Sequence, residues 1–575
     1  MRQPQASSQN MICRIENRLW LMAHNCHRHW YIAGLLAICF FSFFLYLDAF
    51  EVELMEARNF VTAREMAAGG NWWVPTMNGD IRIAKPPLPT WITAVARMLG
   101  GNTDDVFVMR LPAAMMATMM VLSVYGVLRV LSPDPLLPFL GGSVLATSLI
   151  VMDMGRRGHW DIYSHGFMML AIWTLVRGLT ARKTSPLLFS ATGVFLAMSA
   201  MSKGPVSFYA LLLPFLVAYL LSYGTSGFRT KWKALCLCIF SAIVLSAAWP
   251  VAIMAGRPEL FESVVKAETT SWFSRHIQPV YFYLHFPLYA GIWAPFVCAG
   301  LIPSFAGPRV GHFGKYKFAL MWTATAIVLL SIIPEKKERY LLPAAVPMAV
   351  TAAFILRAVL ENIKTDHTKT ADKRMLKVHT IVLAVVCILS PLLLMRLNTL
   401  AEDANVPGLF FFTCLYICIA VCVPVLYKNR AGLLLVLTTH ILICLVAAST
   451  IRPLANSLFF IKNQQYESLD GLKQFAELDH TDVYSVDRIY IKDVWKIGKS
   501  ITFWNVNDDP GLPLEHPIIV LSDANRIAVI LKNYEGKVLA ETLDCLRYDT
   551  RNPERIKCAT LIRPLTPHDE IAGQI

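Results

Sequence analysis

Between its first two long apolar runs the chain carries a polar loop, Glu51 to Arg110, in which Glu56, Arg58, Arg64, Arg82 and Lys85 alternate with Trp72, Trp73, Pro86, Pro87 and Trp91. A carboxylate can take a proton from a hydroxyl, and lysine or arginine can hold an anion while charge builds on it. Both kinds of side chain recur further on: Arg156, Arg157, His159 and Asp161; Lys203; Glu262, Lys266, Glu268 and His276; and the run Glu335, Lys336, Lys337, Glu338, Arg339 before Tyr340. Charge beside membrane-seeking aromatics points to chemistry on a lipid-borne substrate.

The elements that must position these groups are membrane helices. With 55% hydrophobic and 16% charged residues over 575 positions, the chain has too little polar surface for one large water-soluble globule. Apolar windows long enough to cross a bilayer recur from Trp30 to Ala448, and about thirteen spans are expected. Lysine and arginine in alternate short loops, such as Arg229, Lys231 and Lys233 or Lys373, Arg374 and Lys377, put the N-terminus on the cytoplasmic side. The net charge of +13 then follows from topology and anionic lipid, so nucleic acid is excluded as a partner. The cations of the opposite loops break the same bias, and an anionic ligand at the outer membrane face is the simplest reason.

The expected organisation is a transmembrane domain over 1–450 and a small exterior α/β domain over 451–575, where pieces such as DVYSV and HPIIVLSD alternate with ESLDGLKQFAEL. Nine of the thirteen cysteines lie in or beside apolar spans and pack as small hydrophobes; Cys545 and Cys558 are the one pair in the exterior segment, where a disulfide is an option. Within the first loop, Leu88, Trp91, Ile92, Val95 and Leu99 form a stripe at helical spacing opposite Thr93 and Arg97. This predicts a helix lying in the membrane interface, preceded by a weaker one through Leu54, Ala57 and Val61.

The run MEARNFVTAREMAAGGNWWVPTMNGDIRIAKPPLPTWITAVARMLGG resembles the first exterior loop of the GT-C membrane glycosyltransferases of the protein O-mannosyltransferase and aminoarabinose transferase superfamily. Asp161 in GRRGHWD, Lys203 in SKGP and the KERYLLP segment follow in that family's order. The resemblance covers about the first 345 residues. It implies a predominantly helical GT-C fold in the inner membrane and transfer of a sugar, with inversion, from a polyprenyl-phosphate donor to lipid A, another envelope glycolipid or a protein hydroxyl. On that reading Glu56 and Asp161 are the catalytic carboxylates, and Arg58, Lys85, Lys203, Arg339 and Tyr340 bind the substrate. Relatives carry an Asp-Glu pair where this chain has Met55 and Glu56. Either Glu56 has taken over the proton, with Glu53 one helical turn away as the substitute, or the acceptor arrives with its own ionised nucleophile.

Other readings stay open on the same residues. Glu56 can be a solvated carboxylate paired with Arg58 or Lys85, and Asp161 can neutralise Arg157. A divalent metal held by Asp161 with Glu268 or His276 is an option, although no fixed ligand spacing supports it. A lipid-linked sugar transporter would need polar or broken helices at mid-membrane, whereas the ionisable residues here lie in loops. A non-catalytic envelope assembly protein is the remaining alternative.

Overall fold

The computed structural model describes residues 4–565 apart from 26, 275, 312, 366–368, 401–405, 464–468, 476–477, 479–480, 487, 506–515, 535–536 and 548–555. Helices dominate. Among the described residues seven are long and apolar enough to cross a membrane, from Val106–Leu131 to Gly432–Ser457, and a sharply bent pair, Leu137–Ala146 and Leu149–Gly155, makes an eighth if it is one span. The thirteen spans expected from hydropathy also take in shorter apolar helices, Phe208–Tyr223 and Tyr316–Ile332 among them. Large apolar side chains such as Phe240, Ile243, Leu392 and Phe410 lie on the outside of the bundle. That is the inverse of a water-soluble surface and what a hydrocarbon solvent allows.

The first loop folds as two helices and a hairpin. Leu54–Ala67 packs beside Leu88–Leu99, and between them β1 (Thr76–Met77) and β2 (Asp80–Ile81) pair antiparallel. Their turn is Asn78-Gly79, both with positive φ (58° and 80°), as a tight two-residue hairpin requires. The helix after Pro86 and Pro87 is oriented by its polar side. Thr90 and Thr93 are buried, while Val95 and Leu99 are exposed. Thr90 and Thr93 both bond Asn59 of the neighbouring helix, at 2.8 and 3.1 Å; of the apolar stripe, Leu88, Trp91 and Ile92 pack on the protein, and Val95 and Leu99 are left for the membrane surface.

Beyond the bundle a five-stranded mixed sheet runs in the order β4 (Ile501–Phe503), β3 (Asp482–Ser485), β5 (Ile518–Asp523), β7 (Ile556–Pro564), β6 (Val538–Arg547). Cys545 and Cys558 face each other across the β6–β7 pair and are joined in a disulfide. The last long helix, Gly432–Asn463, runs past residue 450. The sheet domain docks on the first loop. Asn78 exchanges two bonds with the backbone of Ile501 (2.8 and 2.7 Å), Arg64 donates to Val494 O at 3.0 Å, Lys496 pairs with Glu51 at 2.6 Å, and Trp495 packs on Phe60.

Candidate active site

Glu56 is not on an open surface. It is fully buried at the start of the helix Leu54–Ala67 and meets Arg110 through both oxygens, at 2.8 and 2.9 Å. The Gly158 N–H donates to it at 2.9 Å, and its other oxygen accepts the Glu53 N–H at 3.1 Å. Gly158 is needed there, because a Cβ would come within 2.5 Å of the Phe60 ring. Burial by itself would raise the Glu56 carboxyl, but Arg110, with His159 and the Gly158 amide, holds it below its ordinary value. Arg110 also caps the chain end of the first span, donating to the carbonyls of Leu47, Phe50 and Glu51. Arg156 does the same for Phe41, Ser42 and Leu45. Part of the unexpected positive charge of these loops is thus spent on helix C-terminal carbonyls. Glu56, expected to face a ligand, instead joins the first span to the loop layer.

The ligand-facing groups line a neighbouring cavity of about 1070 Å³. Glu53, Arg58, Lys85, Asp161, Lys203, Glu268, His276, Glu335, Arg339 and Tyr340 all reach its wall, so five separate loops converge as their charge suggested. Lys203 is the last residue of its helix, which Gly204 terminates with φ 70°, and its ammonium pairs with buried Asp161 and lies over the Tyr340 ring, 4.9 Å from the centroid. Lys85 meets Glu268 at 2.7 Å, and Lys337 meets Glu335 at 2.8 Å. Asp161 pairs with Lys203 and not, as one reading had it, with Arg157. Among the described residues Arg58 donates only to the sulfur of Met55, at 3.7 Å, a weak acceptor that leaves its guanidinium available. The buried Nε of Arg339 makes no hydrogen bond among the described residues. Arg82, next to Arg58 and stacked on Trp160 at 5.0 Å, has its pKa pushed down to about 10 by burial and by Arg58.

The rest of the lining is largely apolar: Val206, Tyr209, Ala210, Leu330, Ile332, Ile333 and Pro343. Ile332 is exposed on the outer face of the bundle. One cavity therefore joins a cluster of cations to the surface that meets lipid tails.

Of the basic lining residues, His165, one helical turn after Asp161, and Lys492, from the sheet domain, were not singled out from the sequence, and Lys337 was read only as one of a charged run. A metal is not supported by the donor set. The described residues contain no group of three or more His, Cys, Asp and Glu side chains that could hold one. Asp161 and Glu268 are each engaged by a lysine, and a cation already paired to a carboxylate repels a second one.

Residues 84–250 match the family profile described as dolichyl-phosphate-mannose-protein mannosyltransferase. The chain is 24% identical over 342 residues to an undecaprenyl phosphate-alpha-4-amino-4-deoxy-L-arabinose arabinosyl transferase of Proteus mirabilis, covering 56% of this chain and 59% of that one. It is 27% identical over 322 residues to the protein of the same name from Edwardsiella ictaluri, covering 54% and 56%. The chain thus spans little more than half the length of these relatives. The crystal structure of ArnT from Cupriavidus metallidurans bound to undecaprenyl phosphate superposes with a TM-score of 0.65 at 16% identity, over 92% of this chain and 97% of that one. The fold is that of a GT-C multi-pass membrane protein, and the chain is similar in sequence to the aminoarabinose transferases and, over residues 84–250, to the protein mannosyltransferase family.

Proposed function

We propose that this chain is a membrane glycosyltransferase that moves a sugar from a polyprenyl-phosphate donor to a lipid or protein acceptor, with inversion at the anomeric carbon. The observation that carries this reading is the union, in one cavity, of an apolar wall open toward the bilayer with the cations Arg58, Lys85, Lys203, Lys337 and Arg339. A prenyl tail in the groove contributes about 0.8 kcal/mol for each methylene it buries. Tail binding then holds the phosphate at the cations, which stabilise the charge that grows on it as the sugar leaves. Asp161 orients Lys203 and limits the repulsion between neighbouring cations; Tyr340 covers the Lys203 ammonium. The names of the relatives make undecaprenyl-phosphate-linked 4-amino-4-deoxyarabinose the first donor to try and envelope lipid the first acceptor.

The protein sits in the inner membrane in this reading, with its N-terminus cytoplasmic and both the cavity and the 451–575 domain outside. The Cys545–Cys558 disulfide suits an oxidising compartment, and the basic loops suit the opposite side. For transfer itself, Lys85→Ala is expected to lower turnover of a radiolabelled donor roughly a hundredfold, the scale of one charge-stabilising group, without loss of folded protein. A wild-type rate in that variant removes Lys85 from the mechanism. Mass spectrometry of envelope lipids and glycoproteins with and without the gene identifies donor and acceptor together, and an unchanged profile argues against the reading.

A further inference from the structure

Four carboxylates reach the cavity wall, and their surroundings tell them apart. Asp161 is buried against Lys203; Glu335 is held by Lys337 and by the Tyr340 hydroxyl; Glu268 faces Lys85. Glu53 is the most open of them, with half of its side chain exposed against 39% for Glu268, 10% for Glu335 and 5% for Asp161. It is the N-cap of the helix Leu54–Ala67, where its N–H is given to the Glu56 side chain and its own carboxylate reaches back to the first turn in a capping box, so the open carboxylate is held at a fixed place on the cavity wall.

Behind Glu53 stands an unusual partner. One of its oxygens pairs with Arg157, and the other lies 3.7 Å from Nε2 of His159. His159 is buried, and neither ring nitrogen makes a hydrogen bond within the described residues. A buried imidazole with nothing bonded at either nitrogen is costly unless a group can reach it. A distance of 3.7 Å is longer than a hydrogen bond, and rotation of the open Glu53 side chain closes it.

We propose that Glu53 is the carboxylate that removes the acceptor's proton, with His159 as a positioning residue behind it; this rests on the glycosyltransferase reading above. The acceptor hydroxyl gives its proton to Glu53 as its oxygen bonds to the anomeric carbon. The bond from that carbon to the phosphate oxygen breaks, and its electron pair leaves on the polyprenyl phosphate, beside Lys85, Lys203 and Arg339. Glu56 cannot do this, because both of its oxygens are occupied and no face of it is open.

The test uses the full-length protein in lipid, with the labelled donor for turnover and undecaprenyl phosphate alone for binding. Glu53→Gln is expected to lower kcat about a hundredfold, as loss of a general base does, and to leave undecaprenyl phosphate binding unchanged. Met55 also lines the cavity, so adding Met55→Asp to the Glu53→Gln protein returns part of the lost rate. His159→Leu lowers kcat with KM unchanged, and His159→Asn, which keeps a donor beside Glu53, restores part of the loss. Wild-type turnover in Glu53→Gln overturns the proposal and leaves the glycosyltransferase reading standing. Loss of undecaprenyl phosphate binding in that variant overturns it too, by assigning Glu53 to the donor. If the wild-type protein neither binds undecaprenyl phosphate nor transfers the sugar, both readings fall.

Discussion

Glu56 and Glu53 start from the same helix end, three residues apart, and finish in different environments. Glu56 and Arg110 form a closed pair, 0% and 2% exposed, whose remaining bonds go to backbone on three separate segments. Glu53 belongs to the cavity wall with Lys85 and Arg58, where side chains are partly open and, among the described residues, Arg58 and Arg339 lack a full set of partners. The residue types are the same in both places. What differs is saturation: a charge with every bond made to its own protein holds structure, and a charge left short of partners has bonds to give to a ligand.

The comparison is broken most directly at Arg110. Arg110→Ala leaves a buried carboxylate without its counter-charge, and a loss of about 3–5 kcal/mol is expected, seen as a large fall in the melting temperature of the purified protein. Little change in melting would place Glu56 with the ligand groups instead. The next effect concerns acid. Because the folded-state pKa of Glu56 lies below its ordinary 4.5, its contribution to stability is complete above that value and is lost as pH falls toward the folded one. Melting temperature measured from about pH 7 to about pH 3 should drop more steeply in the wild type than in Glu56→Gln. If the two slopes coincide, Glu56 does not hold the structure through its charge. The smallest effect is at the docked sheet domain. Asn78→Ala removes two bonds to Ile501 and is expected to cost about 1–2 kcal/mol locally, read as faster hydrogen exchange at the Ile501 amide with the global melting temperature nearly unchanged. Unaltered exchange there would mean that the domain is held by Arg64, Lys496 and Trp495 without help from Asn78.

Much of this was legible from residue types. Lys85, Asp161, Lys203 and Arg339 were singled out because their charges were not needed for topology, and Tyr340 through the family resemblance; all five reach one cavity. Cys545 and Cys558 were the one pair on offer in their segment, and they bond. The roles of Arg110 and Arg156 were not legible, because the carbonyls they cap lie 59 to 63 and 111 to 115 residues earlier. Nor was Lys492, since nothing in its own neighbourhood says that its helix docks beside Glu51.

The sequence by itself determined that this chain lives in a membrane, that its polar chemistry gathers in the loops and that the first loop carries helices suited to the interface. Those properties depend on local composition and on spacing within a helix, which any window of the chain displays. Only the tertiary structure decided which carboxylate is buried and which is open. Glu53 and Glu56 share one helix end, and it is Arg110, 54 residues further on, and Gly158, 102 residues further on, that close over one and not the other.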